Sequence, residues 1–80
     1  MTNFSPHANQ PELVALGQAV RKLRKDRNMT QEDLAHASGV NISYIGMIER
    51  GQSNPAWLTL VRLATELGVT VEGIAAEAGM

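Results

Sequence analysis

The stretch Thr30–Gly51, TQEDLAHASGVNISYIGMIERG, contains two helix-start signals eleven residues apart. Thr30 followed by Asp33 is a short-acid version of the capping box, and Asn41 is a second capping residue. Gly39 stands between them and can take a left-handed backbone without steric cost, so it ends the first helix. Val40 plugs the turn, and Gly51 closes the second helix, whose inward residues are Ile45 and Ile48. Each helix has barely two turns. Helices that short are marginal alone in water, because nucleation costs more than a few hydrogen bonds return. Their mutual angle must therefore be what the fold preserves.

Outward from this stretch, the remaining chain reads as three more helices. MTNFSPHANQ is polar and aperiodic, so residues 1–10 are expected to be a flexible arm. Pro11 and Glu12 open a helix with Leu13, Leu16, Val20 and Leu23 at helical spacing, running out near Asn28. Leu34 and Ala35 face inward from the second helix. Asn54 and Pro55 read as the cap and first position of a fourth helix, whose inward stripe is Leu60, Leu63, Ala64 and Leu67. Gly68 ends it, and Thr70 opens a short fifth helix through Val71, Ile74 and Ala75. The expected fold is all-α, a compact five-helix bundle in one domain over residues 11–80, with the two short helices at about 30–50.

Composition agrees. Hydrophobic residues make up 44% of the 80 and aromatic ones 4%, so the core must be aliphatic. A chain of this size buries only about 60% of its unfolded surface. It has no cysteine, which excludes disulfides, thiolate zinc sites and cysteine nucleophiles. Nothing suggests a signal peptide or a membrane-spanning run, so a soluble cytoplasmic protein without membrane association is expected. Two histidines, His7 and His36, lack any acid–nucleophile arrangement, and no ligand spacing or phosphate-cradling loop occurs. Neither catalysis, cofactor nor metal is expected. The net charge of −1 argues against a nucleic-acid partner, yet five of the seven basic residues lie in RKLRKDR, Arg21–Arg27. Such a run is either a solvated helix face or the one basic face of a neutral protein.

A capped helix, a short turn with glycine and a second short helix form a helix-turn-helix, which presents its second helix as a rod. A DNA major groove, about 12 Å wide, accepts such a rod. The segments LGQAVRKLRKDRNMTQEDLAHASGV, YIGMIERGQSNP and LVRLATELGVTVE resemble the Cro/C1-type (Xre, phage-repressor-like) helix-turn-helix family over about residues 13–74. TQE, the Ala35 and Gly39 pair, YI, ERG, NP and LGV agree with it in order and spacing. The resemblance implies a five-helix domain that binds double-stranded, palindromic DNA as a homodimer. Restriction–modification controller proteins, antitoxins and phage repressors share the pattern.

By that resemblance, Gln31 at the start of helix two meets a phosphate. Ile42, Ser43 and Met47 on helix three occupy the base-reading positions, with Asn41 ahead of them. Ile42 and Met47 depart from the family's polar readers and offer only apolar contact, as to a thymine methyl. Tyr44, Arg50 and Asn54 match positions near the DNA backbone. Arg24 and Glu49 match a largely buried salt bridge between helix one and helix three. For the dimer, Leu58 stands off the inward stripe of helix four, and Ile74 and Ala78 belong to an apolar C-terminal end, so these three are the expected interface.

The expected function is a transcriptional regulator that inserts helix three into an inverted-repeat operator. The alternative is an antitoxin-like or other protein-interaction module, which near-neutral charge and the apolar Ile42 and Met47 favour. Because residues 1–10 contain no Lys or Arg, the arm is expected to contribute less than threefold to DNA affinity.

Overall fold

A computed structural model describes residues 6–80, so Met1–Ser5 of the expected arm lie outside the described residues. Five helices follow in order: α1 Pro11–Asp26, α2 Gln31–Ser38, α3 Ile42–Glu49, α4 Trp57–Leu67 and α5 Val71–Glu77. The core is aliphatic. Val20, Leu34, Ile45, Ile48, Leu63, Leu67 and Ile74 are its largest fully buried side chains, so every helix contributes at least one. α1 packs on α3 and α5, α2 on α3 and α4, and α4 on α5.

The short helices are held by their ends. Thr30 Oγ1 accepts from the Asp33 amide at 3.0 Å, while the Thr30 amide donates to Asp33 Oδ2 at 2.9 Å. A cap of this kind stabilises a helix by about 1 kcal/mol. The Thr30 amide bond, first, and the Thr30 hydroxyl hold the Asp33 carboxyl below the usual carboxylate range. At the other end Gly39 sits at φ 74°, and its amide donates to the Ala35 carbonyl at 2.9 Å. Val40 is buried beneath the turn. Asn41 then caps α3, its side-chain oxygen accepting from the Ser43 amide at 2.8 Å.

Gly17 fixes the distance between α1 and α3. A Cβ there would stand 2.7 Å from the Glu49 carbonyl oxygen and would also strike that of Ile48. The missing side chain lets the backbone of α1 lie directly on the last turn of α3.

The start of α4 differs from the sequence expectation. Its N-cap is Ala56 and no side chain caps it. Pro55 is buried in the segment leading to the helix instead of opening it. Asn54 precedes a proline, a position biased away from helical backbone, and it stays exposed in that segment.

Candidate nucleic-acid interface

The second helix of the motif, α3, is exposed only at its beginning. Asn41, Ile42 and Ser43 are exposed and Tyr44 is half-buried, whereas the next four residues, Ile45 to Ile48, are all buried. Ile42 is 40% exposed; Met47, expected as a base reader, is only 8% exposed. That leaves Met47 little surface for a base edge, although it stands outside the core cluster that Ile45 and Ile48 join. Arg50 is exposed just past the helix, its Nε donating to Gln52 Oε1 at 3.0 Å. Gly46 makes room for its guanidinium, since a Cβ there would stand 3.0 Å from Arg50 Nη1.

Arg24 and Glu49 meet at the far end of α3. Arg24 Nε donates to Glu49 Oε2 at 2.8 Å and Nη2 donates to Oε1 at 3.0 Å, a bidentate pair. Arg24 Nη1 donates to the Met29 carbonyl at 2.8 Å. The two side chains are only 9% and 4% exposed. Hydrogen bonding to Glu49 raises the Arg24 pKa above the ordinary arginine value, so the guanidinium stays charged despite burial.

Gln31 joins this network, which sequence reasoning did not anticipate: its Nε2 donates to Glu49 Oε1 at 3.0 Å. That bond uses one of the two N–H groups of the amide. Gln31 is thereby oriented by the same carboxylate that anchors α1 to α3. Any ligand group reached by Gln31 would be positioned against α3 through Glu49.

Two hollows border the exposed turn of α3. One is lined by Lys25, Asn28, Thr30, Gln31 and Ile42, among others. The other is lined by Asn41, Ser43, Tyr44, Ser53 and Asn54, together with the arm residues Pro6 and His7. The expected backbone contacts Gln31, Tyr44 and Asn54 are thus divided between two flanks of one helix end. The basic run thins out on inspection. Lys22 pairs with Asp26 at 2.8 Å and approaches Glu77 at 3.8 Å, and Arg24 is buried.

Among the residues expected at a dimer interface, Leu58 is 57% exposed, Ala78 is half-buried against the core, and Ile74 is 1% exposed. Ile74 is therefore corrected: it closes the core against α1 and α4 and has no surface to offer a partner. Trp57, 68% exposed beside Leu58, escaped the sequence reading. The signal was available, because a lone tryptophan off the inward stripe of a helix has no core role to explain it.

Among the described residues, no helix is long and apolar enough to cross a membrane. No group of three or more His, Cys, Asp or Glu there could hold a metal ion.

The helix-turn-helix family HTH_3 matches residues 20–74. The chain is 38% identical over 64 residues to the immunity repressor protein of Bacillus phage phi105, an alignment that covers 80% of this chain and 44% of that protein. The chain therefore spans less than half the length of that relative. Among solved structures, the restriction-modification controller protein C.AhdI from Aeromonas hydrophila superposes with a TM-score of 0.79 at 38% identity, covering 81% of this chain and 98% of that one. The master regulator for biofilm formation SinR, solved in complex with DNA, superposes with a TM-score of 0.71 at 33% identity, covering 74% and 95%.

Proposed function

The chain belongs to the HTH_3 helix-turn-helix family, of the Cro/C1 type, and on that premise we propose that it is a DNA-binding transcriptional regulator acting as a homodimer on an inverted-repeat operator. The observation that carries this reading is the braced α3 with one exposed turn, Asn41–Ser43, between two hollows. That turn enters the major groove. Ser43 donates or accepts at a base edge, and Ile42 packs against a thymine methyl. Gln31 meets phosphate on one flank, and Tyr44 and Asn54 meet it on the other, with Arg50 at the rim. That SinR was solved in complex with DNA supports a DNA partner.

Symmetry follows from reach. One exposed turn covers too few base pairs for specificity, and a two-fold pair sets recognition helices about 34 Å apart, in successive major grooves. The domain measures 30 × 29 × 20 Å, so two copies side by side match that spacing. Leu58 and Trp57 at the start of α4 supply the apolar contact.

Selection of bound sequences from a random DNA pool tests the reading. Enrichment of an inverted repeat with half-sites about 10 base pairs apart is expected. Binding should weaken steeply as salt rises, because phosphate contacts release counterions. No enrichment, or affinity indifferent to salt, would overturn the reading in favour of a protein-interaction module, which the exposed Ile42, Trp57 and Leu58 favour.

A further inference from the structure

The exposed turn of α3 is poor in base readers. The Ile42 side chain has no polar atom and Ser43 has a single hydroxyl, so neither can hold a base by two hydrogen bonds. The side-chain oxygen of Asn41 is used on the Ser43 amide. Discrimination in the major groove is sharpest where two bonds meet one base edge.

Arg50 carries such a pair of donors. It is the C-cap of α3 and is exposed, and its side chain turns back along the helix, as long side chains there do. A Cβ on Gly46 would stand 3.0 Å from Nη1 and 3.7 Å from the guanidinium carbon, so the group lies over the bare backbone of Gly46. Gly46 follows Ser43 and Ile42 by three and four residues and shares their stripe of the helix. The guanidinium therefore adjoins the exposed turn.

That position is fixed from several sides. The Arg50 amide donates to the Gly46 carbonyl at 3.1 Å, and the Gln52 amide donates to the Met47 carbonyl at 2.9 Å. Gln52 Oε1 accepts from Arg50 Nε at 3.0 Å. This uses one of the five guanidinium N–H groups and leaves the four on Nη1 and Nη2. Among the described residues no carboxylate pairs with Arg50, and the neighbouring Glu49 is bound by Arg24 and Gln31. A fork held in this way loses less freedom on binding than a loose one.

We propose that Arg50 is a specificity-determining residue of the DNA site. Seated on Gly46 and held by Gln52, it directs its two Nη groups at O6 and N7 of a guanine, beside the base pairs reached by Ile42 and Ser43. This rests on α3 being the recognition helix. It gives Arg50 a task other than the backbone contact expected from the sequence.

The test uses the full chain with the operator recovered by selection, and the variants Arg50→Lys and Gly46→Ala. R50K keeps a cation but loses the planar fork. It should bind unrelated duplex within about twofold of wild type, yet lose a roughly tenfold preference for guanine at one position in each half-site. Replacing that guanine with 7-deazaguanine, which lacks the N7 acceptor, should weaken wild type and leave R50K unchanged. G46A should melt no lower than wild type, because its methyl meets only the end of a flexible side chain and alanine favours the helix. It should nevertheless reduce the same preference, since the guanidinium loses its seat. Each preference is a ratio of affinities for one protein sample, so a loss of folded fraction cancels. A preference unchanged in R50K overturns the proposal, and so does an equal loss on every sequence, which makes Arg50 a phosphate contact. Full preference in G46A overturns it too, by removing the seat. A wild-type protein that selects no DNA instead overturns the recognition-helix reading itself, before any Arg50 variant is compared.

Discussion

Removing the Glu49 carboxylate tests the packing of α1 against α3 most directly. In Glu49→Ala the Arg24 guanidinium loses both bonds of its bidentate pair but stays where burial leaves its side chain only 9% exposed. A cation stranded in this way costs about 3–5 kcal/mol. A domain of this length holds only about 4–12 kcal/mol in total, at roughly 0.05–0.15 per residue. The loss is therefore about a quarter or more of the fold's stability, and at about 4–8 °C per kcal/mol for this size the melting point should drop by at least about 12 °C. In urea, with a slope of about 1–3 kcal/mol per molar, the midpoint should fall by about 1 M or more. The matching variant Arg24→Met leaves Glu49 buried with only Gln31 as a side-chain donor, and should lose a comparable amount. Replacing both, Arg24→Met with Glu49→Leu, removes the desolvated charges together and should recover most of the loss. The informative quantity is the coupling in the double-mutant cycle, expected at about 2–3 kcal/mol. Single variants within about 1 kcal/mol of wild type, as for an exposed pair, or an additive double variant, would refute the reasoning.

Three further outcomes are expected. Gly17→Ala should destabilise by about 2 kcal/mol in urea titration, because overpacking outweighs the roughly 1 kcal/mol that alanine gains in helix propensity; a more stable variant would show that α1 and α3 can separate. Thr30 holds the Asp33 carboxyl below its ordinary range when folded. Its contribution to stability is therefore fully present above the unfolded value of about 3.9 and is lost as pH falls through the lower folded value. Asp33→Asn should flatten that acid limb of a stability–pH curve and leave other losses in place; an unchanged curve would refute it. Leu58→Glu alters a residue 57% exposed, so it should melt like wild type yet sediment as a monomer at micromolar concentration; a dimer would move the interface elsewhere.

Local signals made most of the fold legible. The capping box at Thr30–Asp33, the left-handed Gly39 and Gly68, and the caps Asn41 and Thr70 act within a few residues, so sequence spacing suffices to find them. Asn54 failed because the same residue pair, Asn-Pro, opens helices and also ends extended segments; burial of Pro55 decided between them. The low exposure of Met47 was not legible, for a tertiary reason. Periodicity tells which residues share a face of α3, but how many faces are covered depends on the neighbours that close over it. The Gln31–Glu49 bond spans 18 residues and follows only once α2 is docked on α3. Gly17 could have been found, because an isolated glycine inside a helical pattern costs stability and implies a close approach.

The charge of the molecule bears on why a single protomer would be insufficient on DNA. RKLRKDR looks like a basic stripe, yet Arg24 neutralises Glu49 inside the fold and Lys22 faces Asp26 and Glu77. The Arg27 guanidinium lies against Gly68, toward the end of α4. Lys25 lines a hollow beside α3 together with the Glu49-paired Arg24 and with Glu32, and Arg50 is a cation just past the other end of that helix. Two such cations per protomer would contribute a slope of only about −2 in log K against log salt, at roughly −0.9 for each phosphate neutralised. Non-specific attraction is then weak, which suits a chain of net charge −1. On the proposed function, affinity would come instead from hydrogen-bond donors placed accurately by a rigid frame, and from doubling them through symmetry. The buried Arg24–Glu49–Gln31 network supplies that rigidity at one flank of α3, and the anchored Asn9–Gly51 turn supplies it at the other. On this reading, the removal of two cations from the basic run is what converts a general attraction for DNA into a geometry that discriminates.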